Sequence, residues 1–136
     1  MSNHRPEELA FHVSVKQQAP AALEVRGLTN IQGTIVNLTG HELSYEKASV
    51  DGSWVIAPPP VIRPGEACAF ELTNTGSTSL WVYYLCAGTE IGFKAWVPAV
   101  GVNEFGVWTS RDGLLSKVDG QLRGWNVTPI YTVADH

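Results

Sequence analysis

Charge is what this sequence has least of. Only 16% of its 136 residues are Asp, Glu, Lys or Arg, against about a quarter in ordinary soluble domains. Nine basic residues face thirteen acidic ones, for a net charge of −4. No basic patch is visible, which excludes the phosphate-neutralising surface of a nucleic-acid binder and the polybasic grip that holds proteins on anionic lipid. Cysteine is nearly missing as well. Cys68 and Cys86 are too few for a disulfide framework and sit at no zinc-motif spacing. They are expected as reduced, half-buried thiols, although their predicted strands are neighbours and a bridge is geometrically conceivable. No apolar run reaches the length of about 18 residues that a spanning helix needs. The polar residues 1–6 lack the apolar segment of a signal peptide. The expected location is therefore cytoplasmic, or outside the cell by release without a signal peptide. Helical periodicity is also lacking: no i, i+3, i+4 apolar stripe of helical length occurs.

Aromatic side chains, by contrast, are plentiful. Five Trp, four Tyr and four Phe accompany an apolar content of 44%. The length suits one domain with a sizeable core, without help from disulfides or metals. Aromatics that such a core does not absorb must face a partner.

The apolar pattern has a period of two. Leu9, Phe11, Val13 and Val15 alternate with Ala10, His12, Ser14 and Lys16. The same alternation returns over 31–38, 67–73, 91–97 and 105–109, which predicts half-buried strands. Asn37-Leu38-Thr39-Gly40 predicts a turn, with 42–48 returning as the partner strand. Asp51-Gly52, Arg63-Pro64-Gly65-Glu66, Asn74-Thr75-Gly76-Ser77, Asp112-Gly113 and Asp119-Gly120 are further turn signals. Pro58-Pro59-Pro60 forbids a central strand. The segment 80–86 is apolar on both faces and predicts a central strand covered on both sides. Nine or ten short strands with turns at this spacing predict an all-β, single-domain antiparallel β-sandwich. Residues 1–30 form an N-terminal extension packed as an extra strand, and 31–136 form the sandwich.

The search for chemistry returns little. His4, His12, His41 and His136 show no metal-ligand spacing, so no metal or cofactor is expected. No nucleophile elbow and no phosphate loop in strand-loop-helix context is present. Glu42, Glu46, Glu90 and Glu104 have the chemistry of a glycosidase pair, but read as solvated strand-edge acids. The chain is expected not to be an enzyme. The sequons at Asn37 and Asn126 matter only in a secreted protein. Among the tryptophans, Trp81 lies in the most apolar strand and is expected in the core. Trp54 and Trp96 fall at strand ends beside prolines, and Trp108 and Trp125 lie in short strands bounded by Gly. An indole at a strand end can lie in a lipid headgroup layer or stack on a sugar ring.

The order of these motifs resembles the aegerolysin family. Val36-Asn37-Leu38-Thr39-Gly40-His41-Glu42-Leu43, Gly52-Ser53-Trp54, Pro58-Pro59-Pro60, Ile62-Arg63-Pro64-Gly65, Phe93-Lys94-Ala95-Trp96-Val97-Pro98 and Gly101-Val102-Asn103-Glu104-Phe105 follow the family's order over residues 31–133. Trp96 is followed by Val97-Pro98 where the family carries Asp-Asn-Pro. The resemblance implies an actinoporin-like sandwich that recognises membrane sphingolipid, with or without sterol. It also implies peripheral membrane binding, in some members beside a perforin-like pore-forming partner. Trp54 and Trp96 match the family's tryptophans. With Trp108 and one of Tyr83 and Tyr84, since alternation turns only one outward, they form the expected aromatic rim. The alternative is a soluble carbohydrate- or protein-binding, lectin-like sandwich, its platform flanked by Asn103 and Glu104. Oligomeric state stays open.

Overall fold

The computed structural model describes residues 11–16, 28–110 and 112–136. Among these the chain forms strands and no helix. They are β1 (Phe11–Lys16), β2 (Leu28–Leu38), β3 (Leu43–Asp51), β4 (Ser53–Ile56), β5 (Val61–Ile62), β6 (Ala67–Thr75), β7 (Thr78–Cys86), β8 (Thr89–Val97), β9 (Val102–Thr109), β10 (Leu114–Gln121) and β11 (Asn126–Asp135). One sheet has the order β1-β9-β8-β7-β3-β5 and the other β10-β11-β2-β6-β4. All pairs are antiparallel except β11 against β2, which is parallel.

The period-two pattern explains which side chains meet between the sheets. Ile31, Ile35, Phe70, Leu72, Tyr131 and Val133 come from the five-stranded sheet. Leu80, Val82, Tyr84, Ile91, Phe93, Phe105 and Val107 come from the six-stranded one, and all belong to one buried cluster. Aromatic rings link the layers edge to face, with Phe93 and Tyr131 centroids 5.4 Å apart. Tyr131 donates its O–H to the Lys94 carbonyl at 2.6 Å, so the one polar atom of a fully buried ring is satisfied. Phe70 lies flat on Gly33, where an added Cβ would come within 2.1 Å of the ring. The glycine is required by this close approach.

Three sequence expectations change. First, β3 does not return beside β2. It crosses to the other sheet and pairs with β7 and β5. The Asn37 side chain organises the crossing: it donates to the His41 and Ile62 carbonyls at 2.8 and 3.0 Å. Its Oδ1 accepts from the Thr39 N–H and hydroxyl at 2.9 and 2.7 Å. An amide so committed, with no exposed surface, is no glycan acceptor. Second, Asp119-Gly120 is no turn but lies inside β10, opposite Ile130 and Pro129. A Cβ on Gly120 would meet the Thr128 carbonyl at 2.1 Å, so the glycine permits a close strand approach. Third, Cys68 and Cys86 stand in different sheets, β6 and β7, and are free thiols. Burial, with Glu66 adding to it, pushes the Cys68 thiol above its ordinary value.

In the N-terminal extension, β1 joins the six-stranded sheet along β9, from Phe11 opposite Val107 to Lys16 opposite Val102. Leu9, Leu23 and Val25 lie outside the described residues.

Candidate functional site

The site is built by the outward halves of the alternating strands of the six-stranded sheet. In β7, Leu80, Val82 and Tyr84 point to the core, so Trp81 and Tyr83 point away from it. In β8 the outward set is Gly92, Lys94 and Trp96, in β9 it is Glu104, Gly106 and Trp108, and in β3 it includes Lys47, Ser49 and Asp51. Register aligns these into rows. Ser49, Trp81, Lys94 and Gly106 form one row, and Asp51, Ser79, Trp96 and Glu104 the next. Trp81 and Trp96 are thus diagonal neighbours, with Ser79 and Lys94 on the opposite diagonal.

Trp81 is therefore not a core residue. Its ring stacks on Tyr83 with centroids 5.7 Å apart and planes 12° from parallel. Both rings lie over Gly92, where an added Cβ would stand 2.9 Å from Tyr83 and 3.0 Å from Trp81. Lys47 Nζ sits over the Tyr83 ring, 5.0 Å from its centroid, a cation–π contact. Burial, with Glu90 and Glu46 adding to it, pushes the Tyr83 hydroxyl up to about 12.

Beside this stack lies an open groove of about 430 Å³, lined by Ser49, Asp51, Ser79, Trp81, Lys94, Trp96 and Glu104 among others. Lys94 is its floor. The residue is only 8% exposed, and its Nζ donates to Glu104 Oε1 at 2.8 Å. At the mouth Trp96 is 39% exposed. The turn that follows β8 carries Val100, 89% exposed, and β9 opens on Val102, on the same strand face as Glu104 and also exposed. No charged residue occurs from Trp96 to Asn103.

No protein-family model matches this chain, and no curated protein sequence matches it. What the site can do is therefore argued from its own atoms. It offers apolar ring surface, one buried cation already hydrogen-bonded to a carboxylate, a second carboxylate, Asp51, and neutral hydroxyls.

The residues expected to form an aromatic rim do not assemble into one. Trp96 and Glu104 meet in the groove. Tyr83 and Trp108 lie on the same face in the next row, across from Gly92, and are nearly buried. Trp54 belongs to the other sheet, half-buried, with its ring edge-on to Phe70 at 6.0 Å. Tyr84 and Asn103 point inward and cannot touch a ligand. Tyr84 donates to the Pro59 carbonyl at 2.6 Å and thereby holds the proline strap. Asn103 donates to the Leu122 and Gly124 carbonyls at 3.0 and 2.9 Å, which pins the turn before β11. Sequence reasoning missed Trp81, Lys94 and Asp51 as groove residues. The signal for them was the pair of alternations Trp81-x-Tyr83 and Gly92-x-Lys94-x-Trp96. Among the proposed carboxylates, Glu90 lies 3.8 Å from Lys47 and Glu42 3.8 Å from Arg63. Among the described residues no group of three or more His, Cys, Asp or Glu is arranged to hold a metal ion.

Proposed function

We propose that this protein is a peripheral lipid-binding module, aegerolysin-like, that meets a membrane with the end of the sandwich carrying Trp96, the 98–101 turn and Val102. The observation that supports the reading is the cluster of exposed apolar side chains there, Trp96, Val100 and Val102, on a segment without charge. Trp96 keeps 39% of its surface exposed, so of the about 150–250 Å² that such a side chain offers roughly 60–100 Å² is free to be buried. At about 25 cal/mol per Å² its burial in the acyl boundary gives about 2 kcal/mol, to which Val100 and Val102 add, enough for reversible docking. An actinoporin-like sandwich, sphingolipid with or without sterol as the target, and a perforin-like partner belong to this proposal through the motif resemblance alone.

The test is co-sedimentation with vesicles of sphingomyelin and cholesterol. The parent chain is expected to bind, and Trp96→Ala and Val100→Asp to bind at least tenfold more weakly while melting at the parent temperature. Binding should change little between low and high salt, because no basic patch contributes. Absence of binding across a panel of neutral and sphingolipid vesicles sinks the proposal. The groove also supports a second reading, a soluble glycan-binding module. Two indoles beside Asp51, Glu104, Ser49 and Ser79 are the chemistry of a sugar platform. Glycan-array binding that survives Val100→Asp, with no vesicle binding, would favour it.

A further inference from the structure

The groove divides its polar chemistry between two ends. At one end Lys94 Nζ carries three hydrogens, and Glu104 Oε1 takes one. The lysine side chain is only 10% exposed and lines the groove. A buried ammonium with uncommitted hydrogens is costly unless acceptors reach it. At the other end stands Asp51, which enters no ion pair among the described residues. Strand β7 separates β3, which carries Asp51, from β8, which carries Lys94. The two residues also lie one row apart in the register. With strands about 4.8 Å apart, the two ends are on the order of 10 Å from each other. Ser79, Trp81 and the half-exposed Trp96 lie between them.

Each of these features narrows the occupant. Two carboxylates against one ammonium leave the lining net negative, and the whole chain carries −4. An anionic group is repelled by such a field, so the acceptors that suit Lys94 are neutral oxygens. Hydroxyl oxygens accept from an ammonium, and hydroxyl hydrogens donate to carboxylates, so one ligand group serves both members of the Lys94–Glu104 pair. The indoles add a demand for flat apolar surface between the polar contacts. A pyranose ring combines a rim of hydroxyls with C–H faces. The span between the two ends calls for two linked rings rather than one. Asp51 then calls for a positive charge on the ring that reaches it.

We infer that the groove is a site for a short amino sugar, two or more linked hexosamine rings with free amines. Hydroxyls of one ring meet Lys94 and Glu104, a ring face lies on Trp96, and an ammonium of the next ring meets Asp51. This deepens the second, glycan-binding reading and rests on it. Acetylation of the amine removes the charge that Asp51 recognises, and a plain glucose ring never carries it.

The experiment is calorimetric titration of the full chain at mildly acidic pH, where sugar amines are protonated. Its ligands are three disaccharides alike except at the second ring carbon: those of glucosamine, of glucose (cellobiose) and of N-acetylglucosamine. The glucosamine disaccharide is expected to bind saturably and at least tenfold more tightly than the other two. Asp51→Asn is expected to bring all three within about twofold of one another. Trp96→Ala is expected to weaken the glucosamine disaccharide at least tenfold. Lys94→Met combined with Glu104→Gln removes the ion pair as a unit, and is expected to weaken it several-fold while its lead over cellobiose persists. Circular-dichroism melts establish that the variants fold. If the double variant does not, the exposed Asp51→Asn decides alone. A lead that survives Asp51→Asn overturns the inference, as does a double variant that folds and binds like the parent. Cellobiose bound as tightly as the glucosamine disaccharide overturns the amino-sugar assignment and leaves the glycan-binding reading standing. A parent chain that binds none of the three overturns both.

Discussion

Two side chains show how much single positions carry. Ala87 adopts φ +48° and Gly88 φ +84°, the left-handed pair that a two-residue hairpin between β7 and β8 demands. Glycine takes that conformation freely. Alanine does so at a cost of about 1 kcal/mol. Ala87→Gly, or Ala87→Asn with its own tolerance for this region, is therefore expected to raise stability by up to about 1 kcal/mol, read from the urea midpoint at constant slope. Asn37 is the opposite case. Its four hydrogen bonds satisfy two carbonyls, an N–H and a hydroxyl. Asn37→Ala leaves the Ile62 carbonyl and the Thr39 N–H, both in buried bonds, without these partners, while the Thr39 hydroxyl keeps its bond to the His41 carbonyl at 3.0 Å. The expected loss is about 3 kcal/mol or more in the same urea experiment.

Strands β7 and β8 hold most of what matters at the next scale, because their outward faces make the groove. Gly92→Ala brings a methyl within 3 Å of both rings of the Trp81–Tyr83 stack. The stack must tilt, at a cost of about 1–3 kcal/mol. A near-ultraviolet circular dichroism change should accompany a lower melting temperature, and unaltered spectra would show that the rings had room to give. This face also marks where sequence reading stopped. Alternation located nearly every strand, since a period of two survives translation into structure without further information. In β7, however, Leu80, Trp81, Val82, Tyr83, Tyr84 and Leu85 are all apolar, so periodicity could not say which half turned outward. That choice is made by partner residues far along the chain, Gly92 and Lys94, which leave space for rings on one face only. Lys94 was hidden for a related reason. A lysine in an alternating strand reads as solvated, and of the two indoles that line the groove with it only Trp96 is placed by sequence spacing, while Trp81 is set opposite it by register. The Asn37 turn was legible as a turn, but its local chemistry does not encode whether the next strand stays in the same sheet. Trp96 and Glu104 were legible because each borders a proline or glycine turn that places it near a strand end.

Across the whole molecule, the buried phenols set the response to alkali. Burial, first among the causes in each case, raises the hydroxyls of Tyr83, Tyr84 and Tyr131 above the ordinary value of 10.0, Tyr83 to about 12. In the unfolded chain all three titrate near the ordinary value. The folded state thus holds more protons than the unfolded state at pH above about 10, and stability falls as pH rises through that window. Below it their contribution is constant. The melting temperature is expected to be unaffected by these groups between pH 7 and 9 and to drop steadily from about pH 10 upward. In Tyr131→Phe, less stable at neutral pH for want of the bond to the Lys94 carbonyl, the alkaline slope should be shallower. A slope equal to that of the parent would show that Tyr131 ionises no later in the folded chain than in the unfolded one.

The parallel pairing of β11 with β2 has a consequence for the order of events during synthesis. Strand β11 lies between β10 and β2, inside its sheet, yet it follows every other described strand in the chain. Until it emerges from the ribosome, β2 and β6 expose a ladder edge and half of a hydrophobic layer, with Phe70 lacking the Tyr131 ring that covers it. The earlier strands must wait, and β11 arrives as an insertion rather than as an addition. A chain released before Asn126 retains two unfilled edges in the middle of a sheet, and its natural fate is association with other such chains.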